Sequence, residues 1–186
     1  MTSKLRTDVS NAQQLARLPS DGNRYELIEG VLHVMTPAGF DHGDVAMRIG
    51  ASLFQHVNQN SLGKVCAAET GFRIASNPDT VRAPDAAFVS QAQLDQCAGD
   101  ESAYLPLAPS LVVEVVSPND VFADVEAKAA QWLNAGSKVV LVANPEDQTL
   151  RVYRTSDKIG ILRCGQVFEA GDGCPGWTLP VDDVFA

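Results

Sequence analysis

The sequence predicts a mixed α/β fold in which a β-sheet is flanked by helices. The clearest evidence is a strand–helix–strand unit, with apolar strands at 111–116 and 138–143 and an amphipathic stretch over about 121–134 between them. Such a unit pairs two parallel strands through a right-handed crossover. A second amphipathic stretch over about 44–59, and several short strand-like segments bounded by turn residues, complete the mixed pattern.

The first elements along the chain are a short helix and a hairpin. Ser10-Asn11-Ala12-Gln13 resembles a capping box and predicts a helix that ends near Pro19. Two alternating segments, 25–28 and 31–35, then flank Glu29-Gly30. They predict a β-hairpin, because glycine accommodates the positive φ of a tight turn.

The next helix is predicted by apolar residues that recur every four positions: Val45, Ile49, Leu53 and Val57. It is expected to run from Asp44 to about Gln59 and to end before Gly63. Strands are expected to follow at 65–68, 71–75 and 86–89.

Residues 91–110 are polar and contain Gly99, Pro106 and Pro109, which predicts a surface excursion. The helix of the strand–helix–strand unit follows a break at 117–120 and is expected to stop at Gly136. Short strands at 150–153, 161–163 and 167–168 then predict a β-meander, and the tail at 176–180 is expected to pack against the fold or cap it.

Composition restricts the classes of protein that fit. No apolar run approaches the ~20 residues that span a bilayer, and the first eight residues have no apolar signal-like segment. We therefore expect a cytoplasmic protein with no membrane partner. The four cysteines (Cys66, Cys97, Cys164 and Cys174) lack the close spacing of a zinc site or a disulfide framework, which favours reduced thiols.

The chain is acidic, with a net charge of −9 from 14 Lys and Arg against 23 Asp and Glu, and no basic run stands out. Tight nucleic-acid binders usually carry a basic patch, because neutralising phosphates releases counterions. The charge therefore argues against a sequence-specific binder acting alone. It argues less strongly against a hydrolase whose acidic pocket is filled by metal.

Glu114 interrupts the apolar strand 111–116 and is the most informative residue of the chain. A charged carboxylate among valines is costly to bury unless it is paired or metal-bound. Asp85 follows Pro84 on an earlier strand, and Lys128 lies on the helix that follows. Two carboxylates can bind Mg²⁺ or Mn²⁺, and a nearby lysine can orient water or stabilise charge on a phosphoryl group. This set predicts a metal-dependent nuclease.

Lys128 shares one face of its predicted helix with Val121, Val125 and Trp132. Its ammonium either points over the helix–sheet seam at Glu114 or follows its alkyl stem outward to water. Taken singly, Asp85 is also compatible with a turn, and Glu114 with a structural salt bridge to Lys128. The nuclease interpretation requires the amine to converge with both acids.

Asp85, Glu114 and Lys128 together resemble the site of the PD-(D/E)XK nuclease superfamily. More closely, the chain is similar to the Uma2 family of restriction-endonuclease-like proteins from about residue 15 to residue 185. The likeness rests on the order and spacing of short motifs at 25–30, 37–43, 70–72, 82–85, 113–118, 128–132 and 144–145. It implies a restriction-endonuclease-like mixed sheet flanked by helices, a single nuclease domain over 1–186, and metal bound by Asp85 and Glu114.

One departure and two further residues matter. The usual superfamily lysine, two residues beyond the acid, is replaced by Val116, and in Uma2-like chains it has moved to the following helix, which matches Lys128. The resemblance also implies an accessory acid on the first strand, matching Glu26. His42 resembles a family position, and it is expected either to form a helix cap or polar contact or to meet substrate or a metal-bound water.

Other polar residues carry weaker signals. Glu69 is a weaker acidic candidate at a strand end. Arg73 and Arg82 would either meet phosphate or form surface ion pairs. His33 and His56 lack supporting context, so structural or exposed roles are expected for both.

The sequence therefore predicts an endonuclease that hydrolyses phosphodiester bonds of DNA with Mg²⁺ or Mn²⁺. Asp85 and Glu114 would bind the metal, Lys128 would position or polarise the attacking water, Glu26 would support the site, and His42 is a further candidate. Two alternatives stay open: a non-catalytic binding or regulatory module on the nuclease scaffold, and an enzyme for a smaller phosphate substrate such as a nucleotide. A homodimer would suit cleavage of both strands, but the sequence identifies no interface and does not separate DNA from RNA.

Overall fold

The computed structural model of the chain describes residues 8–19, 21–118, 120–155 and 158–186. The sequence predicts that the first eight residues contain no signal-like segment. Residues 1–7 of that stretch lie outside the described part. The helices are α1 (Ala12–Ala16), α2 (Phe40–Gln59), α3 (Gln91–Gln96), α4 (Phe122–Asn134) and α5 (Val181–Val184), with a 3₁₀ helix at Gly171–Gly173. The strands are β1 (Arg24–Ile28), β2 (Val31–Met35), β3 (Gly63–Ala67), β4 (Phe72–Ala75), β5 (Thr80–Arg82), β6 (Ala86–Ser90), β7 (Leu111–Val115), β8 (Val139–Asn144), β9 (Thr149–Thr155), β10 (Lys158–Leu162), β11 (Val167–Glu169) and β12 (Thr178–Pro180).

The strands form two main sheets. The larger has six strands in the order β10-β9-β8-β7-β6-β3, and β7 and β8 run parallel within it while its other pairs are antiparallel. The smaller has the order β2-β1-β5-β4 and is antiparallel. The predicted mixed sheet flanked by helices, and the strand–helix–strand unit β7-α4-β8, are confirmed.

The central strand β7 is apolar at four of its five positions because both faces of the large sheet are covered. Leu111, Val113 and Val115 pack into the cluster that contains the buried face of α2. Val112 packs on the opposite face with Trp132 of α4. Strand alternation puts Glu114 on the same face as Val112, under α4.

Two predicted helix starts were displaced. The N-cap of α1 is Asn11, whose Oδ1 accepts a hydrogen bond from the Gln14 backbone N–H at 2.9 Å. Ser10, the predicted first residue of a capping box, instead donates its backbone N–H to the Gln14 side chain. Helix α2 begins at Phe40 rather than at Asp44. The prediction missed this first turn because residues 40–43 show no apolar periodicity. His42 therefore lies inside the first turn of α2 and not before it.

Three further expectations were wrong in part. Strand β5 was missed because it has three residues in a turn-rich segment, and it pairs with β1 at Leu27 and Val81. Residues 91–110 are not wholly a surface excursion, since Ser90 and Gln93 form a capping box for α3. Val121 is 62% exposed because it is the N-cap of α4 rather than part of its inward face.

The C-terminal segment is part of the core. Strand β11 pairs with β12 and does not continue the predicted meander. Trp177 and Leu179, in the tail expected to pack or cap, are both buried. No helix in the described part of the chain is long and apolar enough to cross a membrane, and the four cysteines are free, as expected.

The double coverage of the large sheet gives a stability prediction. Leu141 on β8 is fully buried, whereas Ile161 on the edge strand β10 is 45% exposed. Leu141→Ala is expected to lower the free energy of unfolding by about 2–5 kcal/mol, because it removes buried methyl groups and leaves a cavity. The matched change Ile161→Ala is expected to cost about 1 kcal/mol or less. Urea unfolding followed by circular dichroism measures both, and equal losses would contradict the described burial.

Candidate active site between the two sheets and helix α4

The structure places the five residues predicted from the sequence near one another, in two contacting groups. Lys128 contacts Glu114 and Glu26, whereas Asp85 contacts His42 and not the Lys128 amine. Glu26 lies on β1, Asp85 between β5 and β6, Glu114 on β7, Lys128 on α4, and His42 in the first turn of α2. The Asp85 backbone N–H donates to the Val113 carbonyl at 3.0 Å, which extends the β6–β7 pairing and holds Asp85 beside the Glu114 segment. The cluster thus forms where the two sheets meet α4.

The Lys128 ammonium points inward, so the outward alternative does not hold. Its Nζ donates to Glu114 Oε2 at 2.9 Å and lies 3.4 Å from Glu26 Oε1. The side chain is 18% exposed. Burial by itself would lower the pKa of Lys128, but the negative charges of Glu114 and Glu26 outweigh it and raise the pKa. Lys128 is therefore a permanent cation of the cluster.

Glu114 is buried and accepts one hydrogen bond on each oxygen. Lys128 donates to Oε2, and the Trp132 indole N–H donates to Oε1 at 2.8 Å. Burial raises the pKa of Glu114 to about 7, against the attraction of Lys128 and with a further contribution from the negative charge of Asp85. Near neutral pH, Glu114 thus exchanges between its protonated and its charged form.

Glu26 is held as an anion by two neighbouring groups. Arg82 Nη1 donates to Glu26 Oε2 at 2.7 Å, and the Ala83 backbone N–H donates to Oε1 at 3.0 Å. Burial opposes ionisation, but the charges of Lys128 and Arg82 leave the pKa of Glu26 lowered. Arg82 is itself fixed by the Gln131 side-chain carbonyl, at 3.1 Å from Nε and 2.6 Å from Nη2. It is therefore an internal ion-pair partner rather than a surface one.

Asp85 is oriented by one hydrogen bond to each oxygen. His42 Nε2 lies 3.0 Å from Oδ1, and the Val115 backbone N–H donates to Oδ2 at 2.8 Å. Burial raises the pKa of Asp85, but the hydrogen bond and charge of His42 and the bond from Val115 together hold it below its ordinary value. Asp85 is a fixed, ionised carboxylate.

His42 is held at both ring nitrogens, because its Nδ1 lies 3.0 Å from Ser117 Oγ. Asp85 can only accept, so Nε2 carries a hydrogen, and in the neutral ring Nδ1 accepts from the Ser117 hydroxyl. Contact of His42 with substrate would require breaking one of these bonds. The structure thus places Ser117, His42 and Asp85 in one hydrogen-bonded chain.

The weaker candidates form no ion pair or hydrogen bond with the cluster among the described residues, although His33 lies opposite Glu26 in the β1–β2 register. Glu69 is exposed and lies 3.6 Å from Arg24. His33 is exposed on β2, and His56 Nε2 lies 2.9 Å from the Pro175 carbonyl oxygen. Arg73 lies on β4.

Sequence reasoning missed three residues of the cluster: Ser117, Gln131 and the polar function of Trp132. Trp132 was predicted only as an apolar face residue, although it lies four positions after Lys128 and thus on the same side of α4. Ser117 belongs to the 113–118 motif, but its partner His42 is 75 residues away in sequence. No local pattern could have paired them.

The charge of the cluster depends on the protonation of Glu114. When Glu114 is ionised, three carboxylates, Glu26, Asp85 and Glu114, accompany the two permanent cations Arg82 and Lys128, and when it is protonated the charges balance. Within the described residues, no group of three or more His, Cys, Asp or Glu side chains is placed to hold a metal ion by itself. Any bound cation would thus take only part of its ligands from the protein.

The fold is that of a restriction-endonuclease-like protein, with acids on β1, on β7 and just before β6 gathered near a lysine on the inward face of the crossover helix α4. The sequence matches the family model of Uma2, described as "Putative restriction endonuclease", over residues 12–182. The chain belongs to the Uma2 family.

A solved structure supports the fold. The chain is similar to a crystal structure described as a putative nuclease belonging to DUF820 from Anabaena variabilis ATCC 29413, with a TM-score of 0.80 over 94% of this chain and 97% of that chain. The two sequences are 16% identical, so this likeness concerns the fold alone. No curated protein gives a significant match.

The raised pKa of Glu114 makes the stability of the metal-free protein depend on pH. Its ordinary value is 4.5 and its folded value about 7, so the folded state binds an extra proton between these values. Relative to Glu114→Gln, the wild type should therefore lose up to about 3 kcal/mol of unfolding free energy as the pH rises from about 5 to about 8. Urea unfolding in a chelator measures both, and parallel pH curves would contradict the shift.

The bond from Ser117 to His42 gives a second prediction. Ser117→Ala should lower the free energy of unfolding by about 1 kcal/mol and shift the Nδ1 resonance of His42 in nitrogen-15 NMR, because the hydroxyl donor is lost. The Nε2–H bond to Asp85 should persist. Ser117→Thr keeps the hydroxyl and is the control, and an unchanged His42 spectrum in Ser117→Ala would show that the bond does not form in solution.

Proposed function

We propose that the protein is a metal-dependent endonuclease that hydrolyses phosphodiester bonds, with DNA as the expected polymer. The observation that carries the proposal is the buried contact between Lys128 and Glu114, next to the oriented carboxylate of Asp85. Membership of the Uma2 family supports the nuclease class. The expected cytoplasmic location stays a prediction.

The donor set fits a hard divalent cation such as Mg²⁺ or Mn²⁺. Asp85 and Glu114 each accept one hydrogen bond per oxygen, which leaves further lone pairs on every carboxylate oxygen. Mg²⁺ typically takes one or two protein carboxylates and completes its shell with water, so a full protein cage is not needed. When Glu114 is ionised, the surplus negative charge of the cluster favours a cation here. Such an ion would activate water and neutralise charge on phosphate oxygens.

Lys128 would act as a cation and hydrogen-bond donor and not as a base. Its pKa is raised, so it keeps its proton at neutral pH. From its position against Glu114 it can orient a water molecule, or donate to a phosphate oxygen on which charge develops. Because Lys128 is the most exposed charged group of the contact, with Glu114 and Glu26 more deeply buried, it would be the first of them to meet substrate.

Glu26 and His42 would act through their neighbours. Glu26 holds Lys128 from the side of β1, so the ammonium is shared between two carboxylates and keeps its direction. His42 orients Asp85, and Ser117 orients His42. These bonds fix a metal-binding carboxylate before the metal arrives, which is how partners of metal ligands generally act.

The net charge of −9 favours one alternative, a binding or regulatory module that keeps the scaffold without cutting. An acidic protein attracts a polyanion weakly unless cations offset its charge. Calorimetric titration of Mg²⁺ or Mn²⁺ into wild type and Asp85→Ala separates the two functions. Binding that is lost in Asp85→Ala supports the metal site, whereas the absence of binding that depends on Asp85 supports the module.

Cleavage assays test the nuclease proposal directly. The wild type should cut DNA with Mg²⁺ or Mn²⁺, and Asp85→Asn, Glu114→Gln and Lys128→Met should each lose about 10²-fold or more, because each removes a ligand or a donor to developing charge. Glu69→Gln, the same change at an exposed acid outside the cluster, should keep full activity.

Two results would count against the proposal. One is a folded wild type that cuts no nucleic acid with either metal. The other is full activity in Glu114→Gln. Turnover of a small phosphodiester or nucleotide without cleavage of polymers would instead assign the same cluster to a smaller phosphate substrate.

A further inference from the structure

The face of the small sheet that carries Glu26 extends beyond the candidate active site. Successive strand residues point to opposite faces, so Arg24 shares this face with Glu26, whereas Leu27 points to the other face and packs in the cluster that contains α1. Residues directly opposite in a register share a face, and His33 of β2 lies opposite Glu26. The outer residues of this face, which we call the hairpin face, are Arg24, Val31, His33 and Met35.

The hairpin face is open to water although it adjoins the cluster. Helix α4 contacts β1 at Glu26 and β5 at Arg82. On the edge strand β2, by contrast, Val31 is 58% exposed, Met35 is 39% exposed, and His33 is exposed between them. An apolar strip rimmed by polar groups and placed beside a candidate site is typical of a binding surface.

Arg24 is the cation of the hairpin face. Its side chain is 26% exposed, and its Nε lies 3.6 Å from Oε1 of Glu69, whose side chain is 69% exposed. An ion pair this long and this exposed contributes little to stability, and a guanidinium has five N–H donors, so Arg24 keeps donors for a second anion. Arg82, in contrast, is occupied inside the cluster by Glu26 and Gln131.

The spacing of the cations suits a nucleic-acid strand. Arg24 and Glu26 are two residues apart on β1, so their Cα atoms lie about 7 Å apart on one face. Glu26 in turn holds the Lys128 ammonium, at 3.4 Å. Arg24 and Lys128 are thus arranged along the same sheet face, at a separation comparable to that of successive phosphates. With the scissile phosphate at Lys128, the neighbouring phosphate reaches Arg24.

The chemistry of the hairpin face favours an unpaired strand over a duplex. A duplex offers mainly its phosphates and sugars to a flat protein surface, and tight binding to it requires many cations. The chain has a net charge of −9 and no basic run. The bases of a single strand, however, are free to lie on imidazole and apolar side chains. One arginine beside an apolar strip therefore fits a single unpaired nucleotide.

We propose that the hairpin face binds the unpaired nucleotide next to the scissile phosphate, so that the substrate is single-stranded DNA or an unpaired segment of DNA. Arg24 contacts the phosphate of this nucleotide, and its base lies on His33 and Met35. The position of the scissile phosphate rests on the proposed nuclease function. The hairpin face contributes to substrate binding and not to the chemical step.

Fluorescence anisotropy of a fluorescein-labelled DNA single strand, with Ca²⁺ in place of Mg²⁺, measures binding, and electrophoresis shows that the probe stays uncut. The wild type should bind the single strand more tightly than the same strand annealed to its complement. Arg24→Gln should weaken single-strand binding about tenfold and reduce the slope of log affinity against log salt by about 0.7, the value for one phosphate contact. Arg17→Gln should change neither, because this exposed arginine is the C-cap of α1, on the other face of the same sheet.

The base contact is tested by two neighbours on β2 that point to opposite faces. Met35→Ala should weaken single-strand binding about fivefold and keep the salt slope, because it removes a contact to a base and not to a phosphate. His33→Ala should weaken binding to a similar extent. Val34→Ala, at a residue that is 53% exposed on the other face, should bind like the wild type. Circular dichroism checks that every variant folds.

Cleavage kinetics with Mg²⁺ separate this proposal from the proposed function. Arg24→Gln should raise KM and leave kcat unchanged, whereas Lys128→Met should lower kcat. A wild type that cuts nothing but shows the expected binding pattern rejects the nuclease activity and supports the hairpin face. The hairpin face is overturned if the single strand binds no more tightly than the duplex, if Arg24→Gln and Arg17→Gln lose equal affinity, or if Met35→Ala loses no more than Val34→Ala.

Discussion

The contact of one partly exposed ammonium with two buried carboxylates is the interaction on which this structure depends. Lys128 of α4 meets Glu114 on the six-stranded sheet and Glu26 on the four-stranded sheet. One charged group thus connects two sheets and the crossover helix. Removing Lys128 would leave Glu114 buried without a charged partner, which costs far more than a surface ion pair contributes. The same contact therefore links the two sheets, together with the packing of Phe72 on Trp132.

The three acids of the cluster differ in charge because their neighbours differ. Burial opposes ionisation of each, but Glu26 has Arg82 and Lys128 beside it, and Asp85 has His42 and a backbone N–H, so the pKa of both is lowered. Glu114 shares Lys128 with Glu26, and its other donor is a neutral indole N–H. These partners do not offset its burial, so its pKa rises to about 7. A proton and a metal ion would compete for this one acid, while the other two keep fixed charges.

The parts of the site that follow from local pattern could be predicted from the sequence. Glu114 is visible because it breaks an apolar strand, and Lys128 because it lies on the inward face of an amphipathic helix. The strand–helix–strand order then brings the two together. Where a residue's environment is set by distant segments, local pattern fails. Ser117 and His42 meet across 75 residues.

Short or polar elements escaped prediction for a related reason. Strand β5 is too brief to show alternation, yet it carries Arg82 into the cluster. The first turn of α2 shows no apolar periodicity, so the pattern placed the helix start too late and left His42 outside it. In both cases the element owes its conformation to tertiary contacts more than to its own sequence, since neither segment could bury an apolar face alone.

The indole of Trp132 is an intrinsic fluorophore in contact with the cluster. Its N–H donates to Glu114 Oε1, so we expect the emission of this ring to change when that carboxylate binds a proton or an ion. The chain has two tryptophans, and the other, Trp177, lies in the core on the α2 side of the sheet, with its N–H on Ser52. With Trp177 replaced by phenylalanine, the fluorescence of the unlabelled protein would come from a single ring that touches the acid of variable charge.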